Sequence, residues 1–320
     1  MIRRLCLAAG VFLSLMAPAS AETFPNKLVR VVVPYPAGGA VDIIVRALTE
    51  RLRAKWGTII VENKGGAGTQ IGTRYVGDAE PDGHIMLATG METFSISPFI
   101  NPKLSYDPAA FVPVVAIGYS DQLLMVPSSS PFKSVADLLA VAKKEPGALR
   151  YGTVGLGGSS HINMVLFETL AGVKMTPVHY RGGAPLVTDL LGGHIPMAFL
   201  SVQLGHGGMQ AGQLRALAFA TKKRSPRFPD IPTVEESGVK GFEAVSWYGI
   251  FVPAGTPKPV IDKINADVQE VFASAEFREK VVEPRMLGQI EGSADRFAEF
   301  VKAESAKWKK LVRDADLKVE

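Results

Sequence analysis

The sequence holds a single cysteine in 320 residues, Cys6. It lies inside an N-terminal apolar run, so the chain beyond it has no disulfide, no cysteine nucleophile and no thiolate metal site. Histidine is also scarce. His84, His161, His179, His194 and His206 show no H-x-x-x-H or comparable spacing, so no metal site is expected. Charge of one sign is missing too: the formal net charge is +4, and falls to +2 without Arg3 and Arg4. The one basic cluster, "TKKRSPR" (221–227), reads as a solvated turn. Nucleic-acid binding calls for a broader basic stripe, so no nucleic-acid partner is expected. Beyond the first residues no apolar run is long enough to span a bilayer.

The N-terminus, "MIRRLCLAAGVFLSLMAPASAETFP", combines Arg3 and Arg4, a short apolar run over 5–16 and the small-residue signal Ala19-Ser20-Ala21. This is the pattern of a secretory signal over 1–21, cleaved near Ala21. The arginine pair leaves twin-arginine export open beside the general secretory route. An exported chain without disulfides is stabilised by its core, and about 300 residues suffice for two domains.

What is plentiful is glycine at strand–helix junctions. "LVRVVVPY", "TIIVEN" and "HIMLATG" read as strands, separated by helical patterns such as Val41, Ile44, Val45, Leu48, Leu52 and Trp56. The grammar restarts with "SVADLLAVAKKEPGA", "LRYGTVG", "GGSSHINMVLFETLAGV", "MTPVHY", "GGAPLVTDLLGG", "IPMAFLS" and "LRALAFAT". The alternation argues for α/β units with mostly parallel sheets flanked by helices. "AVSWYGIFVPAGTP" is a further strand, and the chain after Pro259 is helical and charged. Crossings between two units are expected near 117–127 and 243–253. The division is 22–121 and 246–320 for one unit and 122–245 for the other.

Four turns share one construction: Pro36-Ala37-Gly38-Gly39, "KGGAG" (64–68), "GLGGSSH" (155–161) and "YRGGAP" (180–185). Each sits at the carboxyl end of a strand, where open α/β sheets bind ligands and helix N-termini favour anions. Tight βα loops also need glycine for backbone reasons alone. Asp42 would repel a bare diphosphate, so the first turn suits a single carboxylate; Asp42 equally serves as a plain helix-start acid. Thr153, Ser159 and Ser160 can surround a carboxylate, and one of the two serines is expected as a helix cap. His161 reads as a structural hydrogen-bonder. Arg181 is either a carboxylate clamp or a rim charge, and Asp189 is expected to be packed and hydrogen-bonded.

Enzyme patterns are absent. The first turn reads P-Y-P-A-G-G-A and not G-x-G-x-x-G, although Glu62 lies 23 residues beyond Gly39. G-G-S-S-H is not the G-x-S-x-G elbow of a serine hydrolase. No pair of acids stands out as general acid and base.

The motifs "VVVPYPAGGAVDIIVRAL", "VENKGGAGTQIGTRYV", "PDGHIMLATG", "YGTVGLGGSSHINMVLFETLAGV", "VHYRGGAPLVTDLLGGHIPMAF", "LRALAFATKKRSPRFPDIPTVEESG" and "WYGIFVPAGTPKPVIDKIN" run along the whole exported chain. In them the chain resembles the Bug family, periplasmic solute-binding receptors of tripartite tricarboxylate transporters. The resemblance implies a two-domain α/β Venus flytrap in the periplasm, monomeric and without cofactor. It implies no enzymatic turnover, although a secreted enzyme acting on a small carboxylate stays as the alternative. A small carboxylic acid would be captured in an interdomain cleft and presented to membrane transporter subunits. A module reporting solute to a sensor would look the same. The implied ligand-binding residues are Tyr35, Ala37, Gly38, Gly39, Asp42, Thr89 and Gly90, with Gly157, Ser159, Ser160, Arg181, Gly182 and Gly183 from the second domain. One departure is "ATGMETFSISPFINP", where such proteins often have a Gly-Thr-rich loop and an apolar-Asn-Pro segment. Met91, Glu92 and Phe94 crowd that side. Glu92 either favours a ligand with an amine or hydroxyl or faces solvent.

Overall fold

The computed structural model describes residues 24–314. The signal reading over 1–21, with cleavage near Ala21, lies outside the described residues. The chain opens with β1 (Val29–Val33), α1 (Ala40–Trp56), β2 (Ile59–Asn63), α2 (Gln70–Gly77) and β3 (Ile85–Gly90). Val31, Val32 and Val33 are all buried, as a strand covered on both faces requires. In α1, Ile44, Val45, Leu48, Leu52 and Trp56 form the buried stripe expected from their spacing.

After β3 come a π-helical turn (Glu92–Ile96), α3 (Ser97–Ile100) and the 17-residue strand β4 (Phe111–Pro127). The second unit holds α4 (Val135–Lys144), β5 (Arg150–Thr153), α5 (Ser159–Ala171), β6 (Thr176–His179), α6 (Gly183–Leu191), β7 (Ala198–Ser201), α7 (Val202–Gln210) and β8 (Leu214–Phe219). The chain ends through β9 (Val245–Pro253), α8 (Lys258–Ala273), α9 (Ala275–Phe277), β10 (Leu287–Gly288) and α10 (Ala294–Asp314).

The strands form two sheets that share β4. Residues 111–121 of β4 pair with β9, which joins the run β2-β1-β3-β9. Residues 122–127 lie between β7 and β8, and β7 continues to β5 and β6. The chain returns beside this crossing: Ala220 N–H donates to Gln122 O (2.8 Å), Ala244 N–H donates to Ala220 O (2.7 Å), and Val245 opens β9 opposite Asp121. The sheets are more mixed than the sequence suggests. β1–β2, β1–β3, β5–β6 and β5–β7 are parallel, but every described pairing of β4 and β9 is antiparallel. The reason is the route: β4 carries the chain out of the first sheet and β9 brings it back.

α8 covers the first sheet with Ile264 and Val268, in one buried cluster with Val31, Val33, Ile44 and Leu48. A second cluster runs through both sheets, from Phe94, Trp247, Phe251 and Trp308 past Leu124 and Val126 to Phe167, Phe199 and Phe242. α7 has no strong helical signal in the sequence, because Gly205, Gly207 and Gly208 lower its propensity. Packing overrides this: a Cβ on Gly205 would overlap Met125, and one on Gly208 would press on Leu214.

Phe251 supports the turn that carries Glu92. Its ring is 4.2 Å from Phe94 and 5.6 Å from Phe297, centroid to centroid, and it is 1% exposed. Phe251→Ala is expected to cost about 3–5 kcal/mol in equilibrium urea unfolding.

Candidate functional site

The carboxyl ends of the parallel strands in both sheets face one cleft of about 680 Å³. β1 delivers Pro34, Tyr35 and Pro36 to its wall, and β2 the loop 66–69. Glu92, Ser97, Ile100 and Asn101 follow β3; Val154, Leu156, Gly157, Gly158 and Ser159 follow β5; Arg181 and Gly182 follow β6. This is where an open α/β sheet presents its loops.

α2, α5 and α6 begin on this wall and α1 just behind it, and none of the four has a side-chain cap. The N-cap positions are Gly39 for α1, Thr69 for α2, Gly158 for α5 and Gly182 for α6. Elsewhere the sequence does provide caps: Ser134 forms a capping box on α4, and the Ser201 hydroxyl accepts from Leu204 N–H at α7. α8 also lacks a side-chain cap, but Pro259 removes one of its first donors. The first-turn N–H groups of these four helices thus have no intrahelical acceptor and keep the positive end of each dipole free. The expected serine cap does not occur. Ser160 instead accepts from Val154 N–H (2.8 Å), which folds the loop back, while Ser159 is the first residue of α5 and lines the cleft.

The loop before α2 is unusual backbone. Gly66, Ala67, Gly68 and Thr69 have φ of 126°, 47°, 62° and 78°. Four successive positive φ values, two of them on residues with a Cβ, are costly and persist only where surroundings hold them. Part of that hold is Thr93, whose hydroxyl donates to Thr69 Oγ1 (3.1 Å).

Tyr35 is the polar hub of the floor. Its hydroxyl donates to Glu92 Oε1 (2.7 Å), accepts from Gly90 N–H (2.9 Å) and lies 3.0 Å from Thr89 Oγ1. Thr89 in turn contacts Thr93 at 2.6 Å, so a chain of hydroxyls runs from Glu92 to the strained loop. Burial, then the neighbouring Glu92, pushes the Tyr35 phenol well above its ordinary range. Burial likewise raises the Glu92 carboxyl, offset in part by the Tyr35 hydroxyl.

The remaining sequence candidates build the site from behind. Ala37, Gly38 and Gly39 form the β1–α1 turn but are not on the cleft wall. Gly38, at φ 84°, donates its N–H to Asp42 Oδ2 (2.9 Å). Asp42 also accepts from Arg46 and from Asn63 Nδ2 (2.9 Å), so its carboxylate is spent on the loop. Burial alone would raise its pKa, but the Arg46 guanidinium, Gly38 N–H and Asn63 amide hold it below the usual value. Thr89 and Gly90 stand behind Tyr35. Gly183 is not on the wall; a Cβ there would run into Leu204 of α7. Arg181 is exposed on the rim. Burial and His179 push His161 down to about 4, and its neutral Nδ1 accepts from Gly157 N–H (3.1 Å). Thr153 faces His179 Nδ1 (2.7 Å), and Asp189 accepts from the Tyr180 hydroxyl (2.8 Å).

In the sequence "KGGAG" reads as a turn with no place in the site, yet 66–70 line it. Ile100, Asn101, Val154 and Leu156 also line it, and nothing in their local pattern marks them.

A family model described as tripartite tricarboxylate transporter family receptor matches residues 44–317. The chain belongs to that family. It is a receptor of the Bug type, a solute-binding protein with the α/β periplasmic-binding-protein fold and not an enzyme. Protein BugT of Bordetella pertussis is 29% identical over 326 residues, covering 99% of each chain. Among solved structures, R. palustris Rpa4515 with adipate has 32% identity and a TM-score of 0.83, covering 92% of this chain and 99% of its own. MatC from Rhodopseudomonas palustris with bound malate has 28% identity and a TM-score of 0.80, covering 90% and 100%.

In this receptor Asp42 should register in the acid limb of stability. A carboxyl held below its ordinary pKa stabilises the fold above about pH 4, and that contribution is lost as pH falls through the depressed value. Asp42→Asn should therefore lower the Tm near neutral pH, with the difference from the parent shrinking in progressively more acid buffer.

Proposed function

We propose that the receptor captures a small carboxylic acid in the 680 Å³ cleft and presents it to membrane transporter subunits. The observation that carries this reading is the set of three uncapped helix N-termini on its wall, those of α2, α5 and α6, with the uncapped start of α1 just behind them. Unpaired N–H groups at the positive ends of helices form an anion site that needs no buried cation. Ser159, the Gly157 loop, Arg181 and Gly182 serve the carboxylate from one side, and Tyr35 with the 66–69 loop from the other. Ala37, Gly38, Gly39, Asp42, Thr89, Gly90, Ser160 and Gly183 hold those groups in position. Ile100, Val154 and Leu156 supply apolar contact for a short carbon skeleton. Relatives whose solved structures are with adipate and with bound malate support this ligand class.

The domains on this reading are 22–121 with 246–320, and 122–245, hinged where β4 and the 220–245 return cross together. Closure is driven by tighter ligand contact in the closed state. The protein is exported to the periplasm by the signal ending near Ala21 and works as a monomer.

Gly39→Asp separates this reading from a purely structural one. Gly39 has φ −74° and room for a side chain, so Asp there can cap α1 while placing an acid at the α1 N-terminus, just behind Pro36 of the cleft wall. The apo Tm of residues 22–320 should hold or rise. The Tm increase produced by a bound carboxylate, worth about 2.7 kcal/mol at a hundredfold excess over Kd, should disappear. A ligand-induced shift that persists in this variant would count against the α1 terminus as part of the site.

A further inference from the structure

Most of the cleft favours negative charge, and one group does not. Glu92 lines it from the π-helical turn after β3. Its only side-chain partner is the Tyr35 hydroxyl, which donates to Oε1 at 2.7 Å, and no lysine or arginine balances it among the described residues. The Tyr35 hydroxyl, itself held by Gly90 N–H and close to Thr89, anchors this carboxyl at its place on the wall. A π turn is an uncommon backbone that often marks functional positions.

The opposing wall is the converse. The α5 and α6 N-termini, Ser159 and the Arg181 rim are all donors, and Val154, Leu156 and Ile100 add apolar lining to the cleft. We propose that Glu92 is a specificity residue: the cleft takes short carboxylic acids that also bear a hydroxyl or amino group, and that donor is received by the Glu92 carboxyl. This rests on the receptor reading above. The physical reason is asymmetry of hydrogen bonding. A carboxylate is an acceptor only, so a second carboxylate brought beside it finds no donor and meets like charge. A hydroxyl or ammonium group supplies the proton that Glu92 lacks, and a bond of this kind to a charged group is strong.

The test is isothermal titration calorimetry of residues 22–320 with matched acids: succinate against malate and aspartate, and glutarate against glutamate. Parent, Glu92→Gln and Glu92→Leu are compared, with apo Tm as the check that each variant folds. In the parent, a donor-bearing acid should bind at least about tenfold more tightly than its plain counterpart, the range expected for one hydrogen bond to a charged group. Glu92→Gln, whose amide can donate to a carboxylate, should raise affinity for the plain diacid, and Glu92→Leu should erase the preference. If the plain diacids bind the parent as tightly as their donor-bearing partners, or if the preference survives both substitutions, Glu92 does not select the ligand. If none of the acids binds the parent, the carboxylate reading of the cleft fails, and this inference falls with it.

Discussion

The antiparallel pairing of β4 with β9 is the constraint on which the rest of the molecule depends. β4 is one strand with two sets of neighbours: β9 for its first part, β7 and β8 for its last. The second chain crossing runs alongside, held by the Ala220–Gln122 and Ala244–Ala220 hydrogen bonds. Each sheet is therefore completed by a strand that also belongs to the other unit. The carboxyl ends of β1, β2, β3, β5 and β6 are brought to a common space because β4 fixes where the two sheets stand.

Within that space the chain divides its labour between backbone and side chains. Glycines and one left-handed loop shape the four turns, and the helix starts they leave uncapped have backbone N–H groups without an intrahelical acceptor. The titratable side chains near the turns are mostly occupied. Asp42 is tied to Gly38, Arg46 and Asn63; Asp189 to Tyr180; His161 to Gly157. Glu92 and Arg181 are the charged side chains that remain on the cleft wall among the described residues.

Much of this was legible in the sequence because it rests on local rules. Strand–glycine–helix grammar located the elements and the turns, since β-branched runs, helical spacing and positive-φ glycines all act within a few residues. What escaped depends on contacts between distant segments. Three glycines hide α7, which forms because Met125 and Leu214 need the space. Ser159 and Ser160 look like caps, but the Ser160 hydroxyl finds Val154 N–H instead. Ile100 and Leu156 read as ordinary apolar residues until the two sheets bring them to the same cleft. The antiparallel runs of β4 and β9 were likewise invisible, because direction follows from the chain's route between sheets and not from composition.

The use of main-chain donors has a consequence for how such a site can be dissected and how it can diverge. An amide N–H is carried by every residue except proline, so replacing a residue of the α5 or α6 first turn by alanine leaves its donor intact. Alanine scanning would pass over the groups to which the proposed function gives the anion, whereas amide-to-ester replacement or a proline would reveal them. The same silence lets the surrounding side chains drift freely. A lineage can exchange one solute for another by altering the few residues on the wall, while the carboxylate-holding frame persists beneath changes that never touch it.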